Sequence, residues 1–285
     1  MQRTLRCTFY VVIFFVCLSI QVNGQRIALV TPDEVDSSKA FAERLETALI
    51  RDLTILDRSM SKAAFLASSP STPFNLTTEA SMTLGSAMGC DQFILLRSAT
   101  IRRSAFGRAE YYESYAAIYL VSTRTGRLSW WNLSRFEAAK ASDAEQLLNH
   151  AVPSTASELA NAIRSIERSE AAEGPDPVME EPPSASSAPD KTFRAPIPYK
   201  RIKPEYTVEA ALFDVTATVD ILVDLDAAGS VLRTRIVRWA GFGLDRSVEA
   251  AVKKMNWRPA ERNGRFLPMR FLLRYNFKKA DSEKG

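Results

Sequence analysis

The sequence predicts an α+β protein, with an N-terminal mixed α/β sandwich domain, a Pro-rich linker and a C-terminal β-β-α-β domain. Three observations carry this. In the first half, strand-like apolar runs alternate with segments whose apolar residues recur at helical spacing. From Glu170 to Pro198 the chain reads EAAEGPDPVMEEPPSASSAPDKTFRAPIP, rich in proline, serine, alanine and acid and poor in large apolar residues. Beyond it, a two-residue alternation from Val215 to Asp224 marks a strand with one buried face. With 285 residues, 46% hydrophobic and 25% charged, the chain is long enough for two globular domains.

The first residues read as a targeting segment. Arg3 and Arg6 precede an apolar run, Thr8 to Ile20, that is shorter than the ~20 residues of a membrane-spanning helix. Val22-Asn23-Gly24 places a small residue before a cut, so residues 1–24 are a signal peptide, or a short membrane anchor if the cut is not made. Cys17 follows Phe15-Val16, unlike a lipoprotein processing site. Cys7 and Cys17 lie in this leader. Cys90 is then the one cysteine of a mature chain, which excludes an intramolecular disulfide and fits a small buried residue. The net charge is +4, but the basic residues are dispersed rather than clustered, so no nucleic-acid partner is expected.

Residues 25–168 give the order β-α-β-α-β-β-β-α. Arg26 to Val30 is a strand. Ser37 to Asp52 is a helix with Phe41, Leu45, Ala48 and Leu49 on one stripe. Thr54 to Leu56 is a second strand, followed by a Ser/Pro-rich loop. Thr77 or Thr78 caps a helix ending near Gly89. Gln92 to Arg103, Ala109 to Ser122 and Arg127 to Glu137 are strands, the last two joined at Thr125-Gly126. Asp143 to Arg168 is helical, with Pro153 a break. The aromatic pairs Tyr111-Tyr112 and Trp130-Trp131 lie on strands, so one ring of each pair faces each side of the sheet.

Residues 169–198 form the linker. Such a composition cannot bury enough surface to offset its ordering entropy, and its prolines favour extended conformations. In residues 199–279, Val215, Ala217, Val219, Ile221 and Val223 share the buried face of the first strand, and Asp226 to Gly229 makes the turn. Val231 to Trp239 returns. Asp245 is the expected N-cap of a helix whose Leu244, Val248, Ala251, Val252 and Met255 form an apolar stripe. Pro259 ends any helix, and Asn263-Gly264 is a strong turn signal. In the last strand, Leu267 to Phe277, the residues Met269, Phe271, Leu273, Tyr275 and Phe277 face inward; Arg270, Leu272, Arg274 and Asn276 face outward, followed by Lys278. Residues 280–285 are a tail.

Several of these residues together resemble the C-terminal domain of TonB, the energy transducer of the Gram-negative envelope. They are Pro204-Glu-Tyr206, the strand pair around the Asp224 to Gly229 turn, Gly243-Leu244-Asp245, Trp257-Arg-Pro259-Ala260, Asn263-Gly264 and the strand ending at Phe277. Tyr206-Thr207 departs from the Tyr-Pro usual in that family. In the first half, the runs ALVTP, TILDR and NLTTEASMTLGSAMGCDQFILLR resemble, more diffusely, the TolB N-terminal domain and the LpoB-type envelope domains. The resemblance implies a periplasmic, non-enzymatic protein, inner-membrane anchored if the leader stays. The resemblance further implies docking to an outer-membrane TonB-dependent receptor by strand addition, in support of transmembrane transport. Pro204, Tyr206, Arg270, Leu272, Arg274 and Asn276 are the candidate partner-binding residues, the arginines and Lys278 favouring an acidic partner. Asp245, Trp257, Pro259 and Gly264 are structural, with Trp257 filling the seam between helix and sheet. The alternative is a periplasmic scaffold or activator of cell-envelope assembly that uses the module only to bind protein. The short leader lacks a histidine, which speaks against coupling to an ExbB/ExbD-type motor. The terminal strand could instead be covered by the segment around Tyr206 or by a second copy in a homodimer.

Motifs for enzymatic chemistry are weak, and neither a cofactor nor a metal is expected. His150 stands without ligand partners at metal-binding spacing. Ser59-Met-Ser-Lys62 matches the S-x-x-K of acyl enzymes but has only Lys191-Thr-Phe193, in the linker, as a second motif. Gly241-Phe-Gly243 lacks the third glycine of a dinucleotide loop. Asn75-Leu-Thr77 and Asn132-Leu-Ser134 are formal glycosylation sequons, which mean little if the host is bacterial, as the resemblance implies.

Overall fold

The computed structural model describes residues 25–105, 107–183 and 192–279. The leader, with its cleavage site and two cysteines, Lys191 and the 280–285 tail lie outside the described residues.

The first half is built from β1 (Arg26–Val30), α1 (Asp36–Leu49), β2 (Thr54–Ile55), α2 (Arg58–Ser68), α3 (Thr78–Met88), β3 (Gln92–Ala105), β4 (Arg108–Ser122), β5 (Leu128–Ala138), α4 (Ala141–His150) and α5 (Val152–Ala172). Its five-stranded sheet runs β2-β1-β3-β4-β5, parallel across β2, β1 and β3 and antiparallel through β4 and β5. One face is covered by helices: Phe41 and Leu45 of α1, Leu148 of α4 and Leu159 and Ile163 of α5 pack on Ile94, Ile118 and Leu120. Pro153 falls in the first turn of α5, where its missing N–H costs nothing, so the break between α4 and α5 is where proline is tolerated best.

Two differences from the sequence reading stand out here. The Ser/Pro-rich loop contains α2: Asp57 accepts the Met60 N–H as an N-cap, and Ser61 and Phe65, four residues apart, turn inward. The last helix also continues past residue 168 into the segment read as linker. Thr125 donates to the Glu170 carboxylate at 2.9 Å, and Arg127 pairs with Glu173, tying the end of α5 to the β4–β5 turn.

The second half comprises β6 (Phe193–Arg194), β7 (Ile197–Pro198), α6 (Val208–Leu212), β8 (Ala217–Leu225), β9 (Val231–Arg238), α7 (Leu244–Lys253), β10 (Trp257–Arg258), β11 (Ala260–Arg262), β12 (Arg265–Leu267) and β13 (Met269–Phe277). The main sheet is antiparallel, in the order β13-β8-β9. The stripe Leu244, Val248, Ala251 and Val252 of α7 is buried with the inner residues of that sheet. Trp257 is buried edge-on to Phe271, with ring centroids 5.0 Å apart. Pro259 interrupts pairing between β10 and β11. Rather than leading straight into the last strand, it precedes a small hairpin, β11–β12, turned by Asn263 (φ 52°) and Gly264 (φ 75°). Leu267 belongs to this hairpin, and β13 begins after Pro268. Residues 193–194 and 197–198, read as linker, pair with β11 and β10, because an extended proline-containing segment can still supply a short edge.

The second face of the five-stranded sheet carries α2, α3 and the second half of the chain, and one apolar cluster runs through all of them. Tyr119 of β4 and Trp131 of β5 meet Trp239 and Phe242: Tyr119 to Trp239 is 5.9 Å between ring centroids, and Trp131 to Phe242 is 5.1 Å. Trp130, its side chain on the opposite face, packs with the helical layer. Asn75 stitches the halves through backbone, its amide donating to the carbonyls of Thr218 (2.8 Å) and Trp239 (2.6 Å) and accepting from the Thr218 N–H (2.9 Å).

Candidate protein-docking site

The two edges of the β13-β8-β9 sheet differ. At the β9 edge, Arg238 bridges to Thr77, and the Trp239 N–H donates to the Leu76 carbonyl at 3.2 Å. At the β13 edge, the Arg270 N–H points away from β8 and donates to the Glu180 carbonyl at 2.7 Å. The two-residue period then turns the N–H and C=O groups of Leu272, Arg274 and Asn276 to the same outward side. Among the described residues no other backbone group bonds to these three on that side. Leu272 is 51% exposed. An edge of this kind is a template for an added strand.

The outer face beside this edge is an arginine–aspartate lattice. Asp224 of β8 receives Arg270 at 2.7 and 2.9 Å and Arg233 at 3.3 Å. Asp220 receives Arg274 at 2.7 and 2.9 Å and Arg238 at 3.1 Å. Arg270↔Asp224 and Arg274↔Asp220 are direct cross-strand partners in the register, at positions where the outward N–H leaves the side chains close. The Arg270 guanidinium holds Asp224 below the usual carboxylate range. Burial works against ionisation of Asp220, yet the bonds from Arg274 and Arg238 leave it below that range too.

The predicted site residues therefore divide. Leu272 and Asn276 lie at the edge as expected; Asn276 accepts from the Thr218 hydroxyl at 2.9 Å. Arg270 and Arg274 are not uncommitted charges, because each is held by a β8 aspartate. Pro204 is buried. Tyr206 stacks on Phe277 at 6.3 Å and places its hydroxyl 2.8 Å from the Val215 carbonyl, so it works on the inner side of β13. Thr207, where the TonB family usually has proline, caps α6 by accepting from the Ala210 N–H and donates to the Phe242 carbonyl at 2.6 Å.

Asp245 is not the N-cap of α7. Gly243 occupies that position, and Asp245, two residues further in, accepts the N–H groups of Ala240 (2.9 Å) and Gly241 (2.7 Å). The helix starts two residues early because Gly243 adopts φ 74°, folding the loop back over the carboxylate. Burial pushes Asp245 up to about 6, against the pull of those two donors.

Sequence reasoning missed Asp220, Asp224, Arg233, Arg235 and Arg238 as parts of the site. A signal was available: Asp220-x-x-x-Asp224 and Arg270-x-x-x-Arg274 have equal spacing on strands expected to pair. The motifs set aside as chemistry have structural uses. Ser59 donates to Asp57, and Lys62 pairs with Glu34 at 2.6 Å, so the serine and lysine of S-x-x-K serve different partners. Cys90 is buried with its thiol 3.4 Å from the Gly85 carbonyl, and burial raises its pKa. His150 is exposed at the end of α4. Among the described residues there is no group of three His, Cys, Asp or Glu side chains that could hold a metal, and no helix long and apolar enough to cross a membrane.

Residues 202–278 match the family model of the Gram-negative bacterial TonB protein C-terminal, so the second half holds a TonB-like domain. Among solved structures, the chain is similar to the TonB C-terminal domain of Pseudomonas aeruginosa (18% identity, 33% of this chain and 93% of that one, TM-score 0.27). It is also similar to the lipoprotein GNA1162 of Neisseria meningitidis (14% identity, 48% and 99%, TM-score 0.33) and to the LpoB C-terminal domain of Salmonella enterica (12% identity, 39% and 82%, TM-score 0.27). No curated protein matches the chain.

Proposed function

We propose that this protein is a non-enzymatic, TonB-like adaptor of the Gram-negative periplasm that docks an outer-membrane transporter through the edge of β13. The observation that carries the reading is the row of outward backbone groups at Leu272, Arg274 and Asn276 in a domain matched to the TonB C-terminal family. An extended transporter segment would take its affinity from these groups and its selectivity from alternate side chains beside Leu272 and the arginine lattice. The test is binding of peptides tiled across the periplasmic segments of outer-membrane transporters to the full chain, with Leu272→Pro and Asn276→Pro as variants. Proline removes an outward N–H and leaves the β8 ladder intact, so both variants should fold and lose binding. Folded variants that bind like the wild type would end the strand-addition reading.

The second reading, a scaffold or activator of envelope assembly, is favoured by the shared core. The face of the N-terminal sheet that carries α2 and α3 also packs against the TonB-like half in one apolar cluster, which makes the two a joint surface rather than a hook on a tether. Peptides from cell-wall synthases, offered to the same edge in the same assay, separate the two readings.

A further inference from the structure

The acidic run after α5 lies on the docking site. Asp176 pairs with Arg233 of β9 at 3.0 Å and with Arg235 beside it. The Pro177 carbonyl is 3.5 Å from the Arg270 guanidinium, and the Glu180 carbonyl takes the Arg270 N–H at 2.7 Å. The Glu180 carboxylate pairs with Arg262 of β11. In five residues the chain crosses the outer face from β9 to β13 and closes over the start of the edge. Val178, the apolar residue in the middle of this crossing, is fully exposed. The segment is thus held by charge and by one edge hydrogen bond, with little apolar burial. Such contacts are individually weak and are screened by salt.

We propose that residues 176–180 are a built-in competitor for the docking edge, and that the partner they stand in for is an extended segment carrying carboxylates. The inference rests on the docking reading above and adds to it the partner's chemistry and a masked resting state. The competitor has what such a ligand needs: a carboxylate for the β9 arginines, a backbone carbonyl for the first outward N–H of β13, and a second carboxylate for Arg262 of the separate β12-β11-β6 sheet. Covalent attachment gives it a high local concentration, so weak contacts suffice to keep the edge occupied until a better acidic strand arrives. Displacement begins at Arg270, and the groups at Leu272, Arg274 and Asn276 then extend the pairing.

The test compares the full wild-type chain with Asp176→Lys/Glu180→Lys, whose charges are repelled by the same arginines. The probe is a labelled peptide copying residues 174–183, GPDPVMEEPP. The variant should bind it at least about tenfold more tightly than the wild type, because the tethered copy no longer competes. Amide exchange at Arg270 should be slow in the wild type and at least about tenfold faster in the variant, with Leu273 unchanged. Equal peptide affinity in the two proteins, or rapid exchange at Arg270 in the wild type, would overturn the proposal. Transporter peptides tell the two ideas apart. If they bind neither protein while Arg270 exchange still responds, the docking reading fails and the mask survives; if they bind both equally well, the mask fails alone.

Discussion

The indole N–H of Trp239, at the end of β9, donates to the carbonyl of Gly126 in the β4–β5 turn at 3.2 Å. That bond crosses from the TonB-like half to the N-terminal sheet. Trp239 is 1% exposed, and its ring lies against Tyr119. Trp239→Ala should therefore cost about 3–5 kcal/mol and weaken both halves together. Urea unfolding followed by amide signals from each half tests this. A loss confined to the TonB-like half would show that the shared core is not cooperative.

Gly241→Ala should destabilise the same junction. A Cβ there would stand 2.7 Å from the Tyr119 ring and 2.9 Å from Trp131, and the backbone sits at φ 72°. Both the approach and the dihedral require glycine, so the expected loss is about 1–3 kcal/mol, read as a lower urea midpoint at constant slope. A variant as stable as the wild type would mean that the loop can lift off the sheet.

The segment between the end of α5 at Ala172 and the start of β6 at Phe193 is the proposed boundary between domains, and a protease should cut there first. The fragments should then co-elute in gel filtration, held by Trp239, Phe242 and the three hydrogen bonds of the Asn75 side chain. Fragments that separate without denaturant would contradict a common core.

Stability should respond to pH through two aspartates of opposite sign. The folded-state pKa of Asp245 is raised from 3.8 to about 6, so its contribution is full below the ordinary value and is lost as pH rises through about 6. The amount is on the order of 3 kcal/mol. Asp224 is depressed by Arg270, so its contribution is present above the ordinary carboxylate range and is lost as pH falls below it. Asp245→Asn should remove the decline between about pH 4 and 7 and leave the acid limb in place. Urea titrations at a series of pH values provide the comparison, and an unchanged decline in the variant would assign it to another group.

Much of the fold was legible because period is a local property. The alternation around Ala217 to Asp224, the α7 stripe and the Asn263-Gly264 turn each lie within a few residues of sequence and are present, although the strand begins at Ala217 rather than Val215. The helix α2 was hidden because its buried face amounts to Ser61 and Phe65, too short a stripe to show a period. Asp245 misled because a carboxylate near a helix start satisfies the composition of a cap, whereas the loop glycines decide which residue takes the capping geometry. The contacts of Asn75, Trp239 and Gly241 join positions more than a hundred residues apart, and nothing in either local stretch names the other. For the docking site, the strand and its outward face were readable, but the pairing of Arg270 and Arg274 with β8 depended on register. The seating of Asp176 and Glu180 depended on tertiary placement of a segment whose composition reads simply as linker.

The central claim is that a partner pairs as a strand with the outer edge of β13. Hydrogen exchange at single-residue resolution, with and without a bound transporter peptide, tests it most directly. The account predicts slowed exchange at Leu272, Arg274 and Asn276, no change at Leu273 and Tyr275, which already face β8, and no change along β9. Protection that appears on β9, or that leaves those three amides as fast as in the unbound protein, would contradict it.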